Sequence, residues 1–213
     1  MTLSLYGRMY LTAYDTDAGA LYDRTRAGFL LRVAVLAELA RAGHIADRAG
    51  KVVVLDAGPT GDPVLDLALL PLAAHRRTWK AWTRTGRNET LSAVEDRLAA
   101  LGVITVRERP ARFARPARRD VTVRAPGDVR ALQGSLAGVL RAEGPVDPDD
   151  AVLVALASAG GVRHVVSRAD AKAREDRVDA LTGRLDAVSP SLGRAVRRLG
   201  TTLVAAQGGM GGG

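Results

Sequence analysis

Residues 52–66 read VVVLDAGPTGDPVLD, and this stretch contains a strand, a tight turn and a helix start in succession. The β-branched run 52–55 predicts a short buried strand. The glycines and the proline of 58–61 then interrupt the regular backbone. Asp62 followed by Pro63 is typical of a helix N-terminus, because the aspartate accepts from free backbone N–H groups and proline needs no donor there. We therefore expect a strand–turn–helix unit at this point of the chain.

A second stretch predicts the centre of the fold. Seven large apolar residues within 29–39 surround a helix on nearly all sides, and Gly43 is suited to end that helix in the left-handed conformation. Such a helix belongs inside a bundle, because it has no polar face to turn to water. Further helices are expected at about 63–74, 76–85, 91–101, 129–140, 148–159 and from Ser189 or Ser191 to about Ala206.

Short strands are expected around these helices. Ile45 and 51–55 predict two strands about a turn, and 103–108 alternates with 120–124 like a pair joined by an arm rich in Arg and Pro. Because proline disfavours a long ladder, we expect a protruding, partly mobile hairpin. Residues 3–14 predict a strand or a short helix before a turn. The predicted fold class is mainly α: a helical bundle around a buried apolar central helix, with short peripheral β-hairpins including a protruding basic hairpin.

The size of the chain sets its domain organisation. A length of 213 residues with 47% hydrophobic content is enough for one good core. We therefore expect a single helical domain over 1–206. The Gly-rich tail 207–213 has little with which to bury surface and is expected to be disordered.

Charge and cysteine content limit the possible functions. The net charge of +8 favours anionic partners, either nucleic acid or an acidic membrane surface. The positive charge is almost all Arg, which a coding bias explains as well as a preference for phosphate does. The absence of Cys excludes disulfides, thiolate zinc sites and a cysteine nucleophile. We find no stretch with the form of a secretory signal or a membrane span, and expect a cytoplasmic protein that is peripheral on the cytoplasmic face of a membrane.

No set of residues predicts catalysis. Asp15 and Asp17 follow an apolar run, as the paired aspartates of the haloacid-dehalogenase phosphatases do, but the Lys and the later carboxylates of those enzymes do not assemble here. A plain turn is the better interpretation. His44, His75 and His164 stand alone, without a second ligand at metal spacing. We therefore expect no enzyme, no metal and no cofactor.

The Arg-rich arm supports two interpretations. At about 1 kcal/mol per basic side chain near an anionic leaflet, the arm provides salt-sensitive membrane binding, although a solvated loop has the same composition. Its basic residues surround Phe113 and are Arg107, Arg109, Arg112, Arg115, Arg118 and Arg119.

The same region supports an alternative function. Residues 90–126 have the form of a recognition helix followed by a basic wing, which predicts a winged-helix-like DNA-binding regulator using the Arg-rich hairpin. The helix face that would enter the groove carries Glu89, Glu95 and Asp96, and these carboxylates would meet phosphates. Nucleic acid is therefore the less favoured partner.

Three short blocks carry a resemblance to a known family. They are LAELARAGHI at 36–45, PTGDPVLD at 59–66 and RLAALGVITVRE at 97–108. In this order and spacing they resemble the bacterial branch of the Golgi phosphoprotein 3 family, over about residues 1–205. The resemblance implies a mostly helical fold around a buried apolar helix, with a protruding hairpin used in self-association and membrane contact.

The resemblance also implies a ligand. Eukaryotic members of the family bind phosphatidylinositol 4-phosphate and the tails of Golgi glycosyltransferases. Of the four positions of the family's lipid site, the central-helix arginine falls on Arg32, whereas the tryptophan and two arginines fall on Asp23, Asn88 and Leu91. Nearby arginines are available to rebuild an anionic pocket.

The leading hypothesis is a non-enzymatic peripheral membrane protein that binds anionic phospholipid headgroups, phosphatidylinositol 4-phosphate-like in the family. Several guanidinium forks sharing one phosphate would supply the binding. An adaptor role toward protein tails of membrane enzymes and homo-oligomerisation through the hairpin are further expectations. The predicted headgroup residues are Arg32, Arg84, Arg87, Arg24 and Arg26, and the predicted membrane-contact residues of the hairpin are Arg109, Arg112, Phe113 and Arg115.

Overall fold

The structure, a computed structural model, describes residues 3–109 and 118–208. Ten helices lie within these residues, and they confirm the predicted mainly α class. No helix of the described segments is both long enough and apolar enough to cross a membrane. The helices are α1 Leu5–Ala13, α2 Arg24–Arg41, α3 Pro63–Ala74, α4 Trp79–Trp82, α5 Arg87–Ala100, α6 Pro126–Arg141, α7 Pro148–Gly160, α8 Arg168–Ala173, α9 Glu175–Val188 and α10 Pro190–Gly208.

Within the described residues, six strands form three separate antiparallel hairpins. The second and third are the predicted hairpins, with Ile45 opposite Val54 and Ile104 opposite Val123. The tip of the third, with Arg112, Phe113 and Arg115, lies outside the described residues. The strands are β1 Tyr14–Asp15, β2 Ala20–Leu21, β3 Ile45–Arg48, β4 Lys51–Val54, β5 Ile104–Arg109 and β6 Arg118–Val123.

Helix α2 is the centre of the bundle, as its sequence predicts. Every residue from Ala27 to Leu39 except Glu38 is buried, and that set includes Arg32. Asp23 caps the helix by accepting from the backbone N–H of Arg26 at 3.0 Å. Helices α1, α3, α5, α7 and α9 all contact α2, and the buried apolar residues of the described chain form one connected core around it.

The strand–turn–helix unit forms as expected. Asp62 Oδ1 accepts from the backbone N–H groups of Val64 and Leu65 at 2.9 and 3.2 Å, and Pro63 occupies the first turn of α3. Tyr6 of α1 donates its hydroxyl to the other carboxylate oxygen of Asp62 at 2.7 Å. The residue that starts α3 therefore also ties this helix to α1.

The helix predicted at 76–85 was too long. Only Trp79–Trp82 is helical, because the residues before it extend along β4. The backbone N–H of Val52 donates to the carbonyl of Arg77 at 3.0 Å, and Lys51 forms an isolated bridge with Thr78. The prediction for 3–14 is resolved as helix α1. Helix α10 continues through Gly208, and 209–213 of the predicted tail lie outside the described residues.

The contact between α7 and α2 depends on the lack of a side chain at Gly160. A Cβ at this position would lie 2.6 Å from Cδ1 and 2.9 Å from Cδ2 of Leu30, which is itself fully buried. Distances this short are far inside van der Waals contact, so Leu30 would have to move within a packed core.

We predict that Gly160→Ala destabilises the protein by about 1–3 kcal/mol, as overpacking of a core does. Gly183 of α9 is the matched control, since a Cβ there meets no atom within 4 Å. Gly183→Ala should leave stability unchanged or raise it by about 0.4–1 kcal/mol. Urea unfolding monitored by circular dichroism measures both, and equal effects of the two changes would contradict the proposed close approach.

Glu38 is the one residue between Ala27 and Leu39 that is not fully buried. Its Oε2 is buried without a hydrogen-bond partner among the described residues, while the backbone N–H groups of Tyr6 and Leu5 at the start of α1 donate to the carboxylate. Burial raises the pKa of Glu38 to about 7, and the carboxylate of Asp62 adds to the rise against the two backbone donors.

We predict that Glu38 makes stability depend on pH. At pH values between the ordinary pKa of 4.5 and the folded-state pKa of about 7, Glu38 keeps its proton in the folded state and has lost it in the unfolded chain. The free energy of unfolding therefore falls as pH rises through this window and levels off above it. Glu38→Gln should remove this slope, whereas Glu143→Gln on an exposed loop should not. Urea unfolding across the window tests this, and an unchanged slope in Glu38→Gln would show that another group titrates.

Candidate functional site

A basic cleft lies where α2, α4, the start of α5 and α10 meet. It has a volume of about 340 Å³, and four of its eight lining residues are cationic, with no carboxylate among the eight. We call it the basic cleft. Its lining residues are Phe29, Lys80, Thr83, Arg84, Arg87, Ala195, Arg198 and Leu199.

The segment 82–87 carries the two predicted arginines of the cleft. It leaves α4 at Thr83 and enters α5 through Gly86, whose φ of 73° is readily adopted only by glycine. Gly86 offers no side chain to cap α5, so the first backbone N–H groups of the helix have no side-chain acceptor from this residue. Arg87, the first residue of α5, lines the cleft, and the positive end of the helix dipole therefore lies at its wall.

The segment 82–87 packs directly on the central helix. A Cβ on Gly28 would lie 3.1 Å from the carbonyl oxygen of Arg87, so the backbones of α2 and α5 approach closely here. One turn later, Cζ of Arg32 lies 3.8 Å from the position that a Cβ on Gly86 would take. The central helix thus contacts the segment at two successive turns, through Gly28 and Arg32.

Arg32 lies beneath this segment and does not line the cleft. Its side chain is buried, with 2% of the residue exposed, and its Nε donates to the carbonyl of Trp82 at 3.2 Å. Burial lowers the pKa of Arg32 to about 10, which the carboxylate of Glu89 only partly offsets. The guanidinium is therefore still charged at neutral pH, and it adds a positive charge of low solvation against the backbone segment that carries Arg84 and Arg87.

Trp82 connects this arrangement to the chain that precedes it. Cζ of Arg32 lies 5.9 Å from the centre of its ring, and Cζ of Arg77 lies 5.3 Å from it. Both distances are within the range of a cation–π contact. The indole is fully buried, so two arginines from different elements hold the residue that immediately precedes the cleft.

A family model described as Golgi phosphoprotein 3 (GPP34) matches residues 5–199. The chain belongs to the Golgi phosphoprotein 3 family. Its assignment to the bacterial branch stays a prediction. No curated protein matches the chain. The match extends from the first residue of α1 to Leu199 of α10, so it includes every element that lines the basic cleft.

The three predicted lipid-site positions that depart from the resemblance have other surroundings in this Golgi phosphoprotein 3 member. Asp23, at the tryptophan position, caps α2, and Leu91 is buried in the core with 4% exposure. Asn88 is exposed near the start of α5. Arg32 is the one position at which the predicted correspondence keeps an arginine, and the cations of the basic cleft are supplied by other positions.

Arg24 and Arg26 lie outside the basic cleft. Arg24 of this Golgi phosphoprotein 3 chain forms a two-pronged ion pair with Glu95, at 2.8 Å from Nη1 to Oε1 and 3.2 Å from Nη2 to Oε2. Arg26 contacts Asp23 at 3.3 Å. Both are among the predicted headgroup residues. Because neither lines the basic cleft, their role in binding stays a prediction.

Glu95 is fully buried, which corrects the prediction that it belongs to an exposed helix face. Tyr10 donates its hydroxyl to Glu95 at 3.2 Å, and Arg119 of β6 reaches the same carboxylate at 3.4 Å. Arg119 also pairs with Asp96 on α5. This arginine of the predicted wing therefore anchors the third hairpin to α5 and is not available to a partner.

The rest of the basic hairpin is only partly described. Arg109 is exposed and pairs with Asp120 on the opposite strand. Arg112, Phe113 and Arg115 lie outside the described residues, so their proposed membrane contact and the self-association through this hairpin stay predictions.

Sequence reasoning missed half of the cations of the cleft. Lys80 could have been predicted from the sequence, because Lys80, Arg84 and Arg87 are spaced by four and three residues, the spacing of one helix face. Arg198 has none, since it is more than a hundred positions further along the chain and reaches the cleft only because α10 packs on α4.

The residues considered for catalysis have structural uses. Asp15 Oδ1 accepts from the backbone N–H groups of Asp17 and Ala18 at 2.9 and 3.0 Å, which confirms a plain turn. Nδ1 of His44 lies 3.1 Å from the carbonyl of Asp56, and Nε2 of His164 lies 3.0 Å from that of Thr12. Within the described residues, no group of three or more His, Asp or Glu is placed to hold a metal ion.

Proposed function

We propose that this protein is a non-enzymatic peripheral membrane protein that binds an anionic phospholipid headgroup, of the phosphatidylinositol 4-phosphate type, in the basic cleft. One observation carries the proposal: four cationic side chains, from α4, from its connection to α5, from α5 and from α10, line a single cleft that has no acidic lining residue. Its volume of about 340 Å³ is at the small end of the roughly 300–1,000 Å³ typical of ligand pockets, a size suited to a headgroup.

The composition of the cleft favours a phosphate attached to an apolar group over a free anion. Arg84 and Arg87 offer planar forks that can each donate two hydrogen bonds to phosphate oxygens. Among the described residues, no ion pair occupies either guanidinium. Phe29 and Leu199 supply an apolar part of the wall, which suits the glycerol and first methylenes of a lipid.

Arg32 has an indirect role in this proposal. Because it lies under the segment 82–87, it contributes potential and holds the segment in place through the carbonyl of Trp82. The sequence hypothesis had Arg32 binding phosphate directly, and the proposal replaces that contact with a positioning role.

The family supports a lipid-binding or adaptor role in general terms. Binding to protein tails is compatible with the same cleft only if the tail is acidic, and an adaptor role stays a separate prediction. The DNA-binding alternative gains no observation from the structure, since the exposed part of α5 carries Glu89 and Asp96 and Arg119 is held by carboxylates.

We predict that the protein binds phosphatidylcholine vesicles containing phosphatidylinositol 4-phosphate, and that Arg84→Ser together with Arg87→Ser weakens this binding about 10- to 30-fold. The estimate follows from about 1 kcal/mol per basic side chain near an anionic leaflet. Binding should weaken with added salt, since exposed charges are screened. Co-sedimentation over a range of lipid concentrations measures the affinity.

The control is a pair of equal charge change outside the cleft. Arg48 and Arg130 are exposed and do not line it, so Arg48→Ser with Arg130→Ser should reduce affinity by less than threefold if the cleft is the site. Equal losses in the two double variants would show that binding follows net charge alone. Equal, weak binding of wild type to neutral and anionic vesicles would refute the proposed function, and a tighter association with duplex DNA would favour the alternative.

A further inference from the structure

The outer face of α3 is apolar along its whole length. Five positions spaced by three and four residues face outward and are exposed, and none of them is polar. Leu67 is 48% and Leu70 is 70% exposed, and Leu55 is the one other large hydrophobic residue with comparable exposure in the described chain. We call this face the α3 stripe, and its residues are Pro63, Leu67, Leu70, Pro71 and Ala74.

A solvent-exposed helix face normally carries charged or polar residues. The α3 stripe has no carboxylate. The one acidic residue of the helix, Asp66, is turned to the preceding loop, where Oδ1 accepts from both the backbone N–H and the hydroxyl of Thr60 at 2.7 Å. Exposed leucines on a helix without an acidic neighbour on the same face are typical of an interaction surface.

The end of the stripe is strongly basic. Arg76 and Arg77 follow His75, the C-cap of α3, and both are exposed. Lys80 comes three residues later and lines the basic cleft. An apolar helix face that leads into a cluster of Arg and Lys has the composition of an element that lies in the interface of an anionic membrane.

Arg77 connects the stripe to the cleft in space. Its Cζ lies 5.3 Å from the ring centre of Trp82, and the residue after Trp82 is Thr83, which lines the cleft. The bridge between Lys51 and Thr78 holds the intervening segment against β4. The Arg77–Trp82 contact and the Lys51–Thr78 bridge therefore hold the end of α3 in a fixed position relative to the cleft.

We propose that the α3 stripe inserts into the interfacial region of an anionic phospholipid bilayer, with Leu67 and Leu70 entering the boundary between headgroups and acyl chains. This proposal rests on the lipid-binding function proposed above. The adjoining cations Arg76 and Arg77 meet the anionic headgroups while the cleft holds one of them. The complementarity of charge favours a bilayer over a protein groove, because the basic end of the stripe matches an anionic surface at any lateral position.

The chain offers a direct measurement of insertion, because it contains no cysteine. Leu70→Cys labelled with an environment-sensitive fluorophore should shift to the blue and brighten several-fold on vesicles of phosphatidylcholine with phosphatidylinositol 4-phosphate. Lipids carrying a nitroxide on the acyl chain should quench it. Leu55→Cys is the matched control, since Leu55 is a leucine of similar exposure, 57%, outside the stripe. Its label should stay in an aqueous environment.

Co-sedimentation of the same labelled samples separates the two proposals. If the protein sediments with vesicles while the label at position 70 stays aqueous, the insertion proposal is overturned and the proposed function stands. If wild type does not sediment with anionic vesicles, the proposed function fails and the insertion proposal fails with it.

Unlabelled variants give an independent test. Leu67→Ser with Leu70→Ser should lower vesicle affinity at least about tenfold, because leucines that leave an apolar environment lose a large transfer free energy. Leu55→Ser should not. Equal losses in both would overturn the assignment to this face. Analytical ultracentrifugation gives the remaining outcome: a dimer that dissociates in the double variant, with vesicle affinity unchanged, would assign the stripe to a second copy of the chain and overturn the proposal.

Discussion

The hydrogen bond from the buried guanidinium of Arg32 to the carbonyl of Trp82 is the contact on which the basic cleft depends. Arg32 is only 2% exposed on the central helix of the fold, where a charge carries a desolvation cost. In this position the guanidinium contacts segment 82–87 twice, through the carbonyl of Trp82 and through the ring of the same residue. Because α2 contacts five other helices, this segment is fixed relative to the whole bundle. Two arginines on a short connection between helices thereby acquire a defined position.

The distribution of carboxylates explains why the cleft remains cationic in a chain with 23 acidic residues. Glu95 is neutralised by Arg24 and Arg119 within the core, Asp62 and Asp66 serve the start of α3, and Asp23 serves the start of α2. Helix caps and buried pairs use these acids where the fold requires them. The cleft stays cationic because the helix that starts there, α5, is preceded by Gly86 and not by an acidic cap, and because no buried ion pair places a carboxylate among the lining residues.

The sequence could predict the fold because its signals are local. The apolar residues of 29–39 surround one helix on nearly all sides, and Asp62–Pro63 has a known helix-start chemistry, so α2 and α3 follow from short stretches. The helix predicted at 76–85 was too long because the pairing of Arg77 and Thr78 with β4 is a tertiary contact. The site was harder for the same reason. Arg84 and Arg87 were found from their nearness to family positions, whereas Arg198 and the burial of Glu95 depend on helix packing that no local pattern records.

Hydrogen–deuterium exchange of the segment 82–87 in wild type and in Arg32→Met tests the role of Arg32 most directly, since methionine keeps a long side chain without the charge or the donor. If Arg32 holds the segment, exchange there should be at least about tenfold faster, because a hydrogen bond to a charged group contributes about 1.5–3 kcal/mol, while protection of α2 and α7 stays unchanged. Unchanged exchange in the segment would show that Arg32 is a buried charge that does not position the cleft.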